Sequence, residues 1–264
     1  MTAIGIDSGS LTTKVVVLDG STILATALIA SGEDAETAAR EMVAKALADA
    51  RRQNEAHIPT VSTGMSGKSL SLSQLQKSVT TCLARGVSLF FPSVRMVIDI
   101  GAETSTVVKL NERGRVSDWA NQDKCAAGTG LFLQQMSRLM QLSFDEMSEL
   151  SLQAKAKADI TSTCAVFAES EVISHIHRDP PTPKAEIIAG IYASVVSRLM
   201  AMCKRVGIEK DIAMTGGVAL NRGLVAMLER ELKSKLLVPE KPEFVAALGA
   251  AIIARENTEK GLLR

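Results

Sequence analysis

A chain of 264 residues is long enough for one large domain or two modest ones, each with a real hydrophobic core. Thirty Lys and Arg against 29 Asp and Glu leave a formal charge of +1, and one Trp, one Tyr and six Phe make few stacking platforms, so composition argues against a nucleic-acid binder. Apolar residues make up 46% of the chain, yet no uncharged apolar run reaches the roughly 18 residues of a membrane span, and no basic-then-apolar leader opens it. A cytoplasmic protein that binds no membrane is therefore expected, with Cys82, Cys125, Cys164 and Cys203 as reduced thiols, ligands or core residues rather than disulfides.

In chain order, Ala3 to Gly20 reads as strand, tight turn and strand, with β-branched residues at Thr12, Thr13, Val15, Val16 and Val17. Glu33 to Gln53 is rich in helix formers and is bounded in front by Ser31 and Gly32. His57 to Gly64 reads as a short strand and turn, and Met65 to Gly86 as a stretch holding a buried helix. A second copy of the opening unit follows: Val97 to Leu110 runs as an apolar strand ending in an acid, a Gly turn, and a strand of Thr and Val. Helices are then expected over Leu131 to Met140, Phe144 to Ala158, the segment after Cys164, and Thr182 to Val206. In the last of these, Ile191, Val195, Leu199 and Cys203 recur along one face. A strand entering a glycine turn spans Asp211 to Asn221, a strand lies near Leu236, and an Ala-rich helix spans Phe244 to Glu256. The repeat implies two lobes, residues 1–93 with about 245–264, and residues 94–244.

Four glycine-bearing turns could hold an anion: Asp7-Ser8-Gly9-Ser10, Asp99-Ile100-Gly101-Ala102, Gly128-Thr129-Gly130 and Gly216-Gly217. Glycine lets backbone approach a ligand, and successive N–H groups form a concave anion site. The acids that end the two strands suit a phosphate-bound Mg²⁺, and Lys14 could place a point charge on a phosphate. Each turn alone reads as an ordinary hairpin; it is their conjunction, with the repeat, that points to a phosphate-binding site. GMSGKS at Gly64 to Ser69 is no P-loop, because the glycine that motif requires is replaced by Ser62, and Lys68 reads as a turn residue.

Cys203 continues an apolar helix stripe, and Cys82 lies in the uncharged segment VTTCLARG, so both read as small core hydrophobes. Cys125 and Cys164 each precede a helix, where a thiolate and an anionic ligand are favoured. Two thiolates are half of a four-coordinate site, and His175 and His177 point to different sides of their helix. Either these are two unconnected thiols, or a two-fold axis brings two from each of two subunits together.

The blocks GIDSGSLTTK, VIDIGA, DKCAAGTG, TSTCAVFAESEVIS, RVGIEKDIAMTGGVALN and ALGAAIIA resemble, in order and across nearly the whole chain, the activator ATPases of 2-hydroxyacyl-CoA dehydratases and the ATPase subunits of benzoyl-CoA reductase. The resemblance implies an α/β fold with two actin-like, ribonuclease H-like lobes and a nucleotide cleft between them. It implies ATP and Mg²⁺ as ligands, and a dimer sharing one [4Fe-4S] cluster held by Cys125 and Cys164 of each chain. Asp7, Gly9, Ser10, Thr12 and Lys14 would then form the first phosphate loop, Asp99 and Gly101 the second, Gly128, Thr129 and Gly130 the cleft lining, and Gly216, Gly217 and Asn221 the nucleoside-side loop. Asp7 and Asp99 would position Mg²⁺ and water, with Glu103 a third acid.

Two departures stand out. The family's usual I-G-G-Q-D is Ile100-Gly101-Ala102-Glu103-Thr104 here, and its T-G-Y-G-R is Thr63-Gly64-Met65-Ser66-Gly67-Lys68. Both favour one of the two unlike subunits of a reductase over a dehydratase activator. The expected function is ATP-dependent one-electron donation, from a ferredoxin-type carrier to an iron-sulfur acyl-CoA reductase or dehydratase, by a homodimer or a heterodimer with a related subunit. The rivals are a small-molecule kinase of the same superfamily and a regulatory subunit that binds nucleotide with little hydrolysis.

Overall fold

The computed structural model describes residues 1–122, 129–161 and 164–263. The chain forms two compact units: Met1–Val94 with Leu110–Ser117 and Pro239–Arg264, and Arg95–Lys109 with Asp118–Val238.

In the first unit, β1 (Thr2–Ser8) and β2 (Thr12–Asp19) make the expected hairpin, with Asp7 opposite Lys14. A strand missing from the sequence reading, β3 (Thr22–Ala30), returns along β2 after the two-residue turn Gly20-Ser21. Its Ala and Leu residues dilute the strand signal of Thr22, Ile23, Thr26 and Ile29; a turn with Gly20 at φ 58° and pairing along β2 decide its conformation. β4 (Thr60–Thr63) runs parallel to β1, and β5 (Leu75–Gln76) parallel to β4, giving the order β3-β2-β1-β4-β5.

Alternation along β1 divides the core. Ile4 and Ile6, with Val15 and Val17, pack against Ala39, Met42 and Ala46 of α1 (Ala35–Asp49). The other face, carrying Ala3, Val16, Leu18 and Val61, is covered by α8 (Val245–Glu259), which also lies along α2 (Val79–Phe90). α1 starts later than Ser31 and Gly32 suggested: Asp34 is its N-cap, its Oδ1 accepting from the N–H groups of Glu36 and Thr37.

The second unit repeats the pattern. β6 (Met96–Ile100) and β7 (Ser105–Leu110) form the hairpin, and the order is β10-β9-β6-β7-β8, with β8 (Val116–Gln122), β9 (Ile212–Thr215) and β10 (Leu236–Leu237). Read from β8, this is the arrangement of the first sheet strand for strand. The edge strand β8, with exposed Ser117, Asp118 and Trp119, was absent from the sequence reading.

Around this sheet lie α3 (Gly130–Met140), α4 (Phe144–Leu152), α5 (Ala165–His177), α6 (Lys184–Val206) and α7 (Arg222–Leu232). α7 was also unforeseen, and α4 stops well short of Ala158. That residue instead lies on an extended stretch against α6, its N–H donating to the Glu186 carbonyl, where Gly190 leaves no Cβ to obstruct the approach. Ile191, Val195, Leu199 and Cys203 of α6 are fully buried as their spacing predicts. α6 is long and apolar enough to cross a membrane, but it is the central helix of this unit's core.

Candidate functional site

Each unit ends its first strand in an acid followed by a glycine turn. In the first, the Gly9 N–H donates to the Thr12 carbonyl at 3.1 Å and closes the turn. Lys14 Nζ reaches back to Asp7 Oδ2 at 3.1 Å and to the Thr12 carbonyl at 3.2 Å, so the lysine and acid neutralise each other while both are largely buried. Ser31, which sequence reading treated only as a helix boundary, supports this turn from behind. Its Oγ donates to the Gly9 carbonyl at 2.7 Å and lies 2.9 Å from the Thr13 hydroxyl. Ser10 and Thr12 sit half-buried at the tip.

In the second unit the Gly101 N–H closes the same turn on the Thr104 carbonyl at 2.9 Å. Glycine N–H groups occupied in this way do not serve a ligand; what these glycines offer is a backbone that another chain or a phosphate can approach. Glu103 stands exposed at this turn. The start of α3 is bonded directly to it, with Gly130 N–H to the Gly101 carbonyl and Leu131 N–H to the Ala102 carbonyl, both at 2.9 Å. Thr129, the N-cap, is fully buried. A Cβ on Gly130 would fall 2.9 Å from the Gly101 carbonyl oxygen, so only glycine lets helix and hairpin meet at this distance.

The duplication extends to a pair sequence reading did not assign. In parallel register Asp7 stands beside Thr63 and Asp99 beside Thr215. Each threonine is followed by a glycine at positive φ, Gly64 at 89° and Gly216 at 83°. A Cβ on Gly64 would lie 2.4 Å from the Ser8 carbonyl oxygen, and on Gly216 2.3 Å from that of Ile100. Thr215 Oγ1 donates to Asp99 Oδ1 at 2.7 Å, whereas Asp7 has Lys14 and the Thr63 hydroxyl faces Cys82. The recurrence of Asp-x-Gly with a later Thr-Gly was the signal available in the sequence.

Gly217 opens a single 3₁₀ turn, Gly217–Leu220, that leads to Asn221. The Asn221 side chain is almost wholly buried and fully used: Oδ1 accepts from Leu224 N–H at 2.9 Å to cap α7, and Nδ2 donates to the Tyr192 hydroxyl at 2.7 Å. It holds the glycine turn in place rather than presenting its amide. Asn221→Ala removes a helix cap and strands a buried tyrosine hydroxyl, so a loss of about 2 kcal/mol in chemical denaturation is expected.

Cys164 is the N-cap of α5 and is half-buried; among the described residues no side chain caps the N–H groups that follow it. Cys125 and Gly128 lie outside the described residues. Among the described residues no group of three or more His, Cys, Asp or Glu forms a metal site. A free sulfur at a helix N-terminus that no described side chain caps does fit as one ligand of an anionic cluster. Next to it α5 exposes Val166 and Phe167, 67% and 65% accessible.

Burial pushes the thiols of Cys82 and Cys203 up to about 12, in Cys82 against a lowering contribution from the Thr63 hydroxyl. Both should therefore resist alkylation at pH 8 until the chain unfolds, while Cys164 reacts. Because the folded pKa is raised, their burial stabilises fully below the unfolded value of about 8.5, and that contribution is lost as pH rises toward 12. Denaturant midpoints measured between pH 7 and 10.5 should fall, less steeply in Cys82→Ala.

Two sheets of one topology, each with an acid-and-glycine hairpin beside a Thr-Gly turn, define an actin-like ATPase fold. Residues 4–254 match the BadF/BadG/BcrA/BcrD ATPase family, and the chain belongs to it. It is 36% identical to the activator of the 2-hydroxyisocaproyl-CoA dehydratase from Clostridium difficile, solved with bound ADPNP. That likeness has a TM-score of 0.92 and covers 99% of this chain and 97% of the other. It is 39% identical to the activator of lactoyl-CoA dehydratase of Anaerotignum propionicum, over 98% of this chain and all of that one. A benzoyl-CoA reductase subunit of Thauera aromatica is 33% identical over 207 residues, 76% of this chain and 72% of that protein.

Proposed function

We propose that this protein is an ATP-driven electron donor that activates a partner acyl-CoA dehydratase. What carries the reading is Cys164, a free thiol at the start of α5 where no described side chain caps the helix, in a chain that aligns over 98–99% of its length with dehydratase activators. The reductase-type preference drawn from Ala102, Glu103 and Thr104 has no specific support, since the reductase subunit aligns over the shorter span.

Asp99, oriented by Thr215, would hold Mg²⁺ and the attacking water, with Glu103 exposed at the same turn. Asp7 would share that work once Lys14 turns to a phosphate, and Ser10 and Thr12 would meet the phosphates beside it. Ser8 Oγ is buried and has no hydrogen-bond partner among the described residues, which fits a hairpin awaiting a ligand or water. Gly128, Thr129 and Gly130 would line the nucleotide, with Gly216 and Gly217 on the nucleoside side. A [4Fe-4S] cluster held by Cys125 and Cys164 of two chains, in a homodimer or with a related subunit, would supply a low-potential electron received from a ferredoxin-type carrier.

Iron and acid-labile sulfide in anaerobically purified protein test this, together with ATP turnover. About four irons per dimer, lost in Cys164→Ala while nucleotide still binds, is the expected result. A metal-free protein that phosphorylates a small molecule would replace it with the kinase reading. Nucleotide binding without turnover would make it a regulatory subunit.

A further inference from the structure

The second hairpin and Cys164 are linked within one unit by two helices, α3 and α5, and by hydrogen bonds at the start of each and between them. The Gly101 and Ala102 carbonyls accept the first two N–H groups of α3. Five residues into that helix, Gln135 Nε2 donates to Glu169 Oε2 of α5 at 2.6 Å. One half-turn on, Glu171 Oε2 accepts the Thr161 N–H at 2.6 Å, tying a residue three positions before Cys164 to α5. Ala168 N–H closes the first turn on the Cys164 carbonyl at 3.0 Å.

Two of these three carboxylate and amide groups have no structural need to be where they are. Gln135 is exposed, and Ala168 and Val172 already pack α5 into the core that holds Phe132, Leu133 and Met136 of α3. The Gln135–Glu169 bond adds little to cohesion at the surface, but it fixes the rotation of one helix against the other. A shift of the hairpin would move the start of α3, to which it is hydrogen-bonded, and the polar bridge would pass that movement to α5.

We infer that Gln135 and Glu169 are positioning residues that transmit the nucleotide state of the second hairpin to Cys164, and that Glu171 holds Cys164 to the transmitted movement. The inference rests on the ATP reading above. It concerns geometry at the thiol and needs no cluster to be observed.

The test uses the full chain, chelator-treated under anaerobic conditions, with the alkylation rate of Cys164 read by mass spectrometry with and without a non-hydrolysable ATP analogue and Mg²⁺. Analogue affinity is measured in parallel by calorimetry. In the wild type the analogue should change the Cys164 rate roughly five-fold or more, the lower end of ordinary couplings between sites. Gln135→Leu and Glu169→Leu should each bring that ratio close to one without weakening analogue binding, and the double variant should add nothing further. Glu169→Gln keeps an acceptor and should retain most of the ratio, which a merely structural role would not distinguish. Glu171→Leu should raise the Cys164 rate in both states.

A wild-type rate that ignores a bound analogue, or a full ratio in Gln135→Leu, would overturn the inference while leaving the ATP reading intact. Failure of the analogue to bind at all would overturn both.

Discussion

Asp99→Asn is expected to lower ATP turnover by about 10²-fold or more, with the folded protein and its thermal midpoint little changed. The substitution keeps the size of the side chain and its acceptor for Thr215, but removes the charge on which a phosphate-bound Mg²⁺ would rest. Thr215→Val provides the graded comparison. It deletes the 2.7 Å hydrogen bond that orients the carboxylate, which should cost about tenfold, in the range of one hydrogen bond to a charged group. Steady-state turnover with Mg²⁺ varied separates the two: Thr215→Val should be partly restored at high Mg²⁺, Asp99→Asn should not. If both variants turn over at the wild-type rate, Asp99 has no part in the chemistry.

The largest effect on stability is expected at Gly249. α8 lies so close to α2 that a Cβ at this position would meet the Cys82 carbonyl oxygen at 1.8 Å, backbone against side chain with no rotamer to relieve it. Gly249→Ala must push the helices apart and open the core around Ala250, Val61 and Cys82, at a cost of about 3 kcal/mol or more. In thermal unfolding followed by circular dichroism, that corresponds to a fall of roughly 6–12 °C. Gly217→Ala is the control, since its Cβ would meet nothing within 4 Å, and the midpoint should stay where it is.

The sequence made the duplicated hairpins legible because their chemistry is local: an apolar strand, an acid, a glycine, then Thr and Val, read twice. It made α6 legible because a buried helix face repeats every turn. The strands β3 and β8 were not legible for one shared reason. Each is an edge strand whose conformation is imposed by its neighbour, β3 with Ala and Leu interspersed among its Thr and Ile and β8 with a polar face. α7 was hidden because Asn221 read as the end of a glycine loop, when its side chain begins a helix.

At the candidate site, the acids and glycines stood out as residue types that few other roles require. Thr63, Thr215 and Ser31 did not, because a threonine in a strand, or a serine just past one, carries no signal until the fold sets it beside an aspartate or a turn. Ala158 shows the converse. AKAKA has every local reason to continue α4, and a close approach to Gly190 overrides it.

The distribution of the first unit along the chain bears on how the protein is made. Its sheet is complete once Gln76 has left the ribosome, but the helix that covers the Ala3, Val16 and Leu18 face is encoded by residues 245–259, after the whole of the second unit. The second unit, nearly continuous in sequence, can fold while the first still shows an apolar sheet face to solvent. Synthesis therefore carries a long interval in which half the molecule is adhesive, and a nascent chain stalled between the units is the form from which aggregation and chaperone capture would start.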